Sequence, residues 1–151
     1  MPDKITKQQR SQNMSRIKGK DTSIEVKVRK YLYHHGFRYR KNVKELPGTP
    51  DIFIPKYRTV IFVNGCFWHH HYNCKLAVIP KSREEYWINK INKNMDNDVK
   101  HYEQLKQLDY NVIIVWECEI KNAFDARMIE LVEEIKGAKD YELNPFGWTK
   151  N

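Results

Sequence analysis

With 151 residues the chain is one ordinary domain, large enough for a single hydrophobic core and too short for two comfortable ones. Its 27 lysines and arginines stand against 19 acids, and the formal net charge of +8 points to a polyanionic partner, a merely solvated basic surface being the alternative. No apolar run nears the ~18 residues of a membrane span, 6 Gly and 6 Pro exclude a collagenous or low-complexity chain, and three cysteines without a secretory signal leave metal binding or catalysis open in a protein expected to be cytoplasmic.

Residues 1–20 hold Lys4, Lys7, Arg10, Arg16, Lys18 and Lys20 with few apolar partners, the composition of an arm that orders on nucleic acid or of a frayed terminus. Thr22-Ser23-Ile24-Glu25 reads as a capping box, and Ile24, Val28, Tyr31, Leu32 and His35 continue a helix that Gly36 ends. A short strand is predicted around Tyr39 to Val43. The turn Leu46-Pro47-Gly48-Thr49-Pro50 leads into a strand from Asp51 to Ile54, stopped by Pro55. Thr59 to Val63 is a β-branched apolar run, the mark of a buried central strand. Ser82-Arg83-Glu84-Glu85 gives a second capping box, from which Trp87, Ile91, Met95, Val99, Tyr102 and Leu105 trace one face of a long helix. Asn111 to Trp116 is another buried strand, and Phe124, Met128, Leu131 and Ile135 line a last helix closed by Gly137. The domain, residues 21–137, is therefore α/β, a small mixed central sheet flanked by helices. The tail 138–151 carries Phe146 and Trp148 but no legible structure.

The densest chemistry is Cys66-Phe67-Trp68-His69-His70-His71-Tyr72-Asn73-Cys74. Zinc takes thiolate and imidazole ligands in a tetrahedron, and Cys66, His71, Cys74 and Cys118 make a Cys₃His set that uses every cysteine. Four protein ligands leave no open position, so the zinc is expected to be structural and the remaining histidines free for other work. Asp51, after a turn and at a strand start, can hold Mg²⁺ through a hard oxygen, and the last carbonyls of the neighbouring strand could complete its shell. His69 suits a general base or acid near neutral pH. Glu25 is a third acidic group, with a capping role as its alternative. For the adjacent pair Phe67 and Trp68, spacing alone favours core packing over an outward wedge.

Pro50-Asp51-Ile52-Phe53, the block from Ile61 to His71, the segment Trp87 to Asn94 and Val115-Trp116-Glu117-Cys118 resemble the very short patch repair (Vsr) endonucleases. Asn13 to Ile17 and Thr22 to Glu25 match too, so the likeness spans roughly residues 8 to 135. It implies a restriction-endonuclease-like core with structural zinc on Cys66, His71, Cys74 and Cys118. It also implies a Mg²⁺-dependent enzyme that nicks one strand 5′ to the thymine of a T·G mismatch left by deamination of 5-methylcytosine. Asp51 and the main chain of Val63 would hold Mg²⁺, His69 would help activate water, and Glu25 would support them. Met14, Phe67 and Trp68 would wedge beside the mismatch, reversing the preference for a core role. Arg16 belongs to the DNA-binding arm, and Lys90 and Asn94, four residues apart on one helix face, would look onto the mismatch. The partner implied is mismatched double-stranded DNA, bound by a nucleoid-associated monomer, with other DNA repair proteins as further candidates.

Two departures from the family pattern stand out. Family members commonly have Thr-His where this chain has Val63-Asn64, and the cage carries one extra residue before Cys74. Asn64 can hydrogen-bond a metal-bound water but cannot act as a base near pH 7. A restriction-type nuclease on the same fold and a catalytically weakened, zinc-braced DNA-binding module are the competing functions.

Overall fold

The computed structural model describes residues 22–143, with side chains through residue 137. Met14, Arg16 and the rest of the basic arm lie outside the described residues, as do residues 144–151. Helix α1 spans Ser23–His34; Thr22, in extended conformation, accepts the Glu25 N–H at 3.4 Å, and Gly36 ends the helix at φ +88°, where a side chain would be strained. Strands β1 (Arg40–Lys41), β2 (Ile52–Ile54), β3 (Thr59–Asn64) and β4 (Asn111–Trp116) form one sheet in that spatial order. The first two pairings are antiparallel and β3–β4 is parallel, with Ile61 opposite Ile52 on one side and Ile113 on the other. A parallel neighbour requires a crossover, and the long helix α2 (Glu84–Gln107) supplies it.

Alternation along β3 divides the interior. Ile61 and Val63 join Ile52, Ile113 and Val115 in a core packed by Val28 and Leu32 of α1 and by Met128, Leu131 and Ile135 of the last helix. Val60 and Phe62 face the other way, into a smaller cluster with Leu105 of α2. Every residue of β3 is buried, which is why its sequence carries no polar alternation until Asn64.

The structure corrects four local expectations. A short helix that the sequence pattern does not predict, α3 (Glu117–Asn122), follows β4 directly, so Cys118, just past the strand end, lies in a first helical turn. Helix α4 (Phe124–Leu143) passes through Gly137, which keeps negative φ and so does not form the left-handed cap that Gly36 forms. The start of α2 is Glu84, not a Ser82 cap: Arg83 takes φ +56°, and its guanidinium lies 4.4 Å from the Tyr86 ring centroid. On α2, Met95 and Val99 are 37% and 55% exposed instead of packed. The inward stripe of that helix is polar in its middle and apolar only near its ends, at Ile91 and Leu105.

Candidate active site

Between β3 and β4 the chain folds into a tight loop on which most of the expected chemistry converges. The His69, His70 and His71 amides turn back onto Gly65, Phe67 and Cys66 carbonyls at 3.2, 3.3 and 2.8 Å. This winding brings Cys66, His71 and Cys74 together, and the parallel β4 delivers Cys118 from far along the chain. One ligand atom from each of the four lies within 4.8 Å of all the others. His71 Nδ1 sits 3.3 Å from Cys118 Sγ and 3.6 Å from Cys66 Sγ. Bonds of ~2.3 Å to zinc put tetrahedral neighbours near 3.7 Å, so the set fits such an ion. Asn73, just before Cys74, sits at φ +57°, a conformation Asn tolerates.

Surrounding groups brace the cluster. Trp116 stacks on His71 at 4.2 Å with planes 8° apart. Glu117 accepts the Cys66 amide at 3.2 Å and Lys121 at 2.7 Å, while the Cys118 amide donates to Cys66 Sγ at 3.3 Å. Burial pushes the Cys66 thiol up to about 12 and raises Cys118, whereas hydrogen bonding from the Leu76 amide lowers Cys74. The two raised thiols, Cys66 and Cys118, favour their anionic form only beside a cation.

A second cluster lies at the end of β3. Asp51, just before β2, accepts the Val63 N–H on Oδ2 at 2.7 Å. Burial chiefly, then the charge of Glu25, raises the Asp51 carboxyl from 3.8 to about 7, against the Val63 hydrogen bond and the Arg29 charge. Glu25 is 2% exposed and lies 3.5 Å from Arg29. Its amide is capped by Thr22, yet its carboxylate acts on Asp51, so capping does not exhaust its role. A buried and a half-buried carboxylate under mutual repulsion are a fitting donor set for a divalent cation.

His69 is not in the sulfur cluster. Its Nδ1 meets Asp98 Oδ2 of α2 at 2.6 Å, a pair the sequence reasoning missed. Asn94, one turn earlier, donates to the Trp68 carbonyl at 3.0 Å. Tyr102, one turn later, accepts from Asn64 Nδ2 at 2.9 Å. Residues 94, 98 and 102 thus fasten the loop and strand end to α2 at successive turns. Phe67 and Trp68 are half-buried and make edge contacts with each other at 5.1 Å and with Trp87 at 5.4 and 5.9 Å. Lys90 is exposed on the same helix.

A mixed sheet with a pair of carboxylates at its central strand end, beside a metal-competent Cys/His cluster, is the restriction-endonuclease-like core. The profile for the DNA mismatch endonuclease Vsr matches residues 2–76. The type II nicking enzyme V.NmeAIP of Neisseria meningitidis serogroup A is 47% identical over 140 residues, 91% of this chain and 99% of the relative. DNA mismatch endonuclease Vsr of Escherichia coli K12 is 40% identical over 137 residues, 89% of this chain and 87% of that protein. The nicking enzyme V.XorIIP of Xanthomonas oryzae is 38% identical over 135 residues, 88% of this chain and 98% of the relative. The chain belongs to the Vsr DNA mismatch endonuclease family and is an endonuclease acting on DNA. Among the described residues no helix is long and apolar enough to cross a membrane.

Proposed function

We propose that the protein is a Mg²⁺-dependent endonuclease that nicks one strand of duplex DNA 5′ to the thymine of a T·G mismatch, of the kind deamination of 5-methylcytosine leaves, and so begins very short patch repair. It acts as a cytoplasmic, nucleoid-associated monomer. The observation that carries this reading is that Asp51 is tied to Val63 near the end of β3, while His69, on the loop that continues β3, is tied to Asp98.

Asp51 and the Val63 main chain would hold Mg²⁺, with Glu25 in support. When bound, the ion supplies charge that acidifies water and offsets charge on phosphate. Asp98 accepts the Nδ1 proton of His69 and so orients the ring, leaving Nε2 to take a proton from the attacking water. The Cys66, His71, Cys74 and Cys118 set would hold structural zinc, all four positions being filled by protein. Phe67 and Trp68, backed by Trp87, form the wedge beside the mismatch, and Asn94 fixes it through the Trp68 carbonyl. Lys90 and Asn94 face the DNA from α2, and Met14 and Arg16 contact it from the arm.

The test is a duplex with one T·G pair beside its matched twin, with and without Mg²⁺. Nicking confined to the mismatched strand, and only with the metal, is expected. Cleavage of both strands of matched DNA would favour a restriction-type nuclease, and binding without cleavage a weakened DNA-binding module.

A further inference from the structure

Asn64 closes the buried strand β3 and is 2% exposed. By alternation it points, like Val60 and Phe62, toward α2, where its Nδ2 donates to the Tyr102 hydroxyl at 2.9 Å. In that bond the phenol oxygen is the acceptor, so its own O–H proton must be directed away from Asn64. The ring is held by an edge contact with Phe62 at 4.9 Å. On either side stand the two halves of the site. Val63, the preceding residue on β3, is bonded to Asp51, and Asp98, one turn back on α2, is bonded to His69. Burial first, then the charges of Asp98 and Asp51, push the phenol up to about 12 in spite of the Asn64 bond, so it stays a neutral donor at any working pH. A donor fixed on its oxygen side and rigid in its ring is preorganised for an anion that arrives between those two halves.

We propose that Tyr102 is a further catalytic residue: with its oxygen held by Asn64, its hydroxyl donates a hydrogen bond to a non-bridging oxygen of the scissile phosphate. Negative charge accumulates there as water attacks, so the bond strengthens toward the transition state. This rests on the phosphodiester-cleaving reading above. It also gives Asn64 a task suited to an amide, since orienting a phenol needs a donor and no titrating base.

Single-turnover nicking of a T·G duplex by the full chain with Mg²⁺ tests the assignment. Tyr102→Phe keeps the ring against Phe62 and removes only the hydroxyl. It should nick about 10- to 100-fold more slowly, the worth of one hydrogen bond to a charged group, with duplex Kd unchanged and a thermal midpoint lowered no further than in Asn64→Ala, since both variants break the same buried hydrogen bond. Asn64→Ala, which frees the hydroxyl to rotate, should show a smaller loss in the same rate. A purely structural ring would not interact with sulfur at the phosphate. Duplexes carrying each phosphorothioate diastereomer at the scissile position therefore supply the second readout, and the slowing by one diastereomer should shrink in Tyr102→Phe. Wild-type nicking by Tyr102→Phe, or a slowed variant whose response to both diastereomers is unaltered, would overturn the role of Tyr102 and leave mismatch nicking standing. Absence of nicking by the wild-type chain would overturn both.

Discussion

Asp51 is a carboxylate in an unfavourable place. Without a divalent cation, burial and Glu25 raise its pKa from 3.8 to about 7, so the folded protein holds the proton more tightly than the unfolded chain does. The sign follows from linkage: this penalty is absent below the unfolded value and grows as pH rises toward the folded one, lowering stability across that window. Zinc-loaded but Mg²⁺-free protein should show a thermal midpoint that falls between pH 3.8 and about 7 and levels off above it, and Asp51→Asn should show a smaller fall. Equal slopes in the two proteins would remove the Asp51 carboxylate as the cause. The same variant should lose nicking while keeping mismatch binding roughly intact, because the amide keeps shape and loses charge. His69→Ala should slow nicking about 10²–10⁴-fold if it moves a proton, and Asp98→Asn should slow it less, acting only through the ring it orients. Metal analysis should find full zinc in both; zinc lost from His69→Ala would exchange the roles of His69 and His71.

At the scale of elements, the strand runs and the cysteine and histidine cluster were legible because burial on both sheet faces and metal chemistry each leave a dense local pattern. Asp98 was not, and the reason lies in α2. Following only apolar residues led from Ile91 to Met95 and Val99, which are exposed, whereas the inward stripe continues through Asn94 and Asp98 to Tyr102. A helix that packs on a polar loop rather than on a core shows its inner face as polar residues at helical spacing, and apolar periodicity alone steps past them. The same limit hid α3, whose short run Glu117–Asn122 carries a single buried residue, Ile120. Cys118 enters the sulfur cluster from that helix, so the metal would bind β3, the loop and the β4–α3 junction into one unit. Cys118→Ser should therefore lower the thermal midpoint and the zinc content together with activity. Undiminished zinc in that variant would mean the cluster closes without its fourth ligand.

At the scale of the molecule, the sheet end presents Asp51, His69 and the Phe67, Trp68 and Trp87 rings on neighbouring elements, while the formal charge of +8 supplies a field that draws in duplex DNA. Charge gives affinity without sequence information, so discrimination has to come from the part that senses stacking. A wobble pair stacks less firmly than a matched one, and a wedge must supply a few kcal/mol per step to open the stack. Trp68 is the best-braced candidate: its carbonyl is held by Asn94, and its ring rests on Phe67 and Trp87 while keeping part of its surface exposed. Trp68→Ala should thus narrow the gap between T·G and matched duplex in equilibrium binding more than it weakens binding to either at low salt. Removing residues 1–18, with their five Lys and Arg (Lys4, Lys7, Arg10, Arg16, Lys18), should weaken both duplexes alike and flatten the dependence of affinity on salt. If Trp68→Ala instead unfolds the domain, or leaves the T·G preference untouched, then Trp68 is a packing residue of the three-ring cluster. Mismatch sensing would then pass to Phe67, whose ring contacts both of the others.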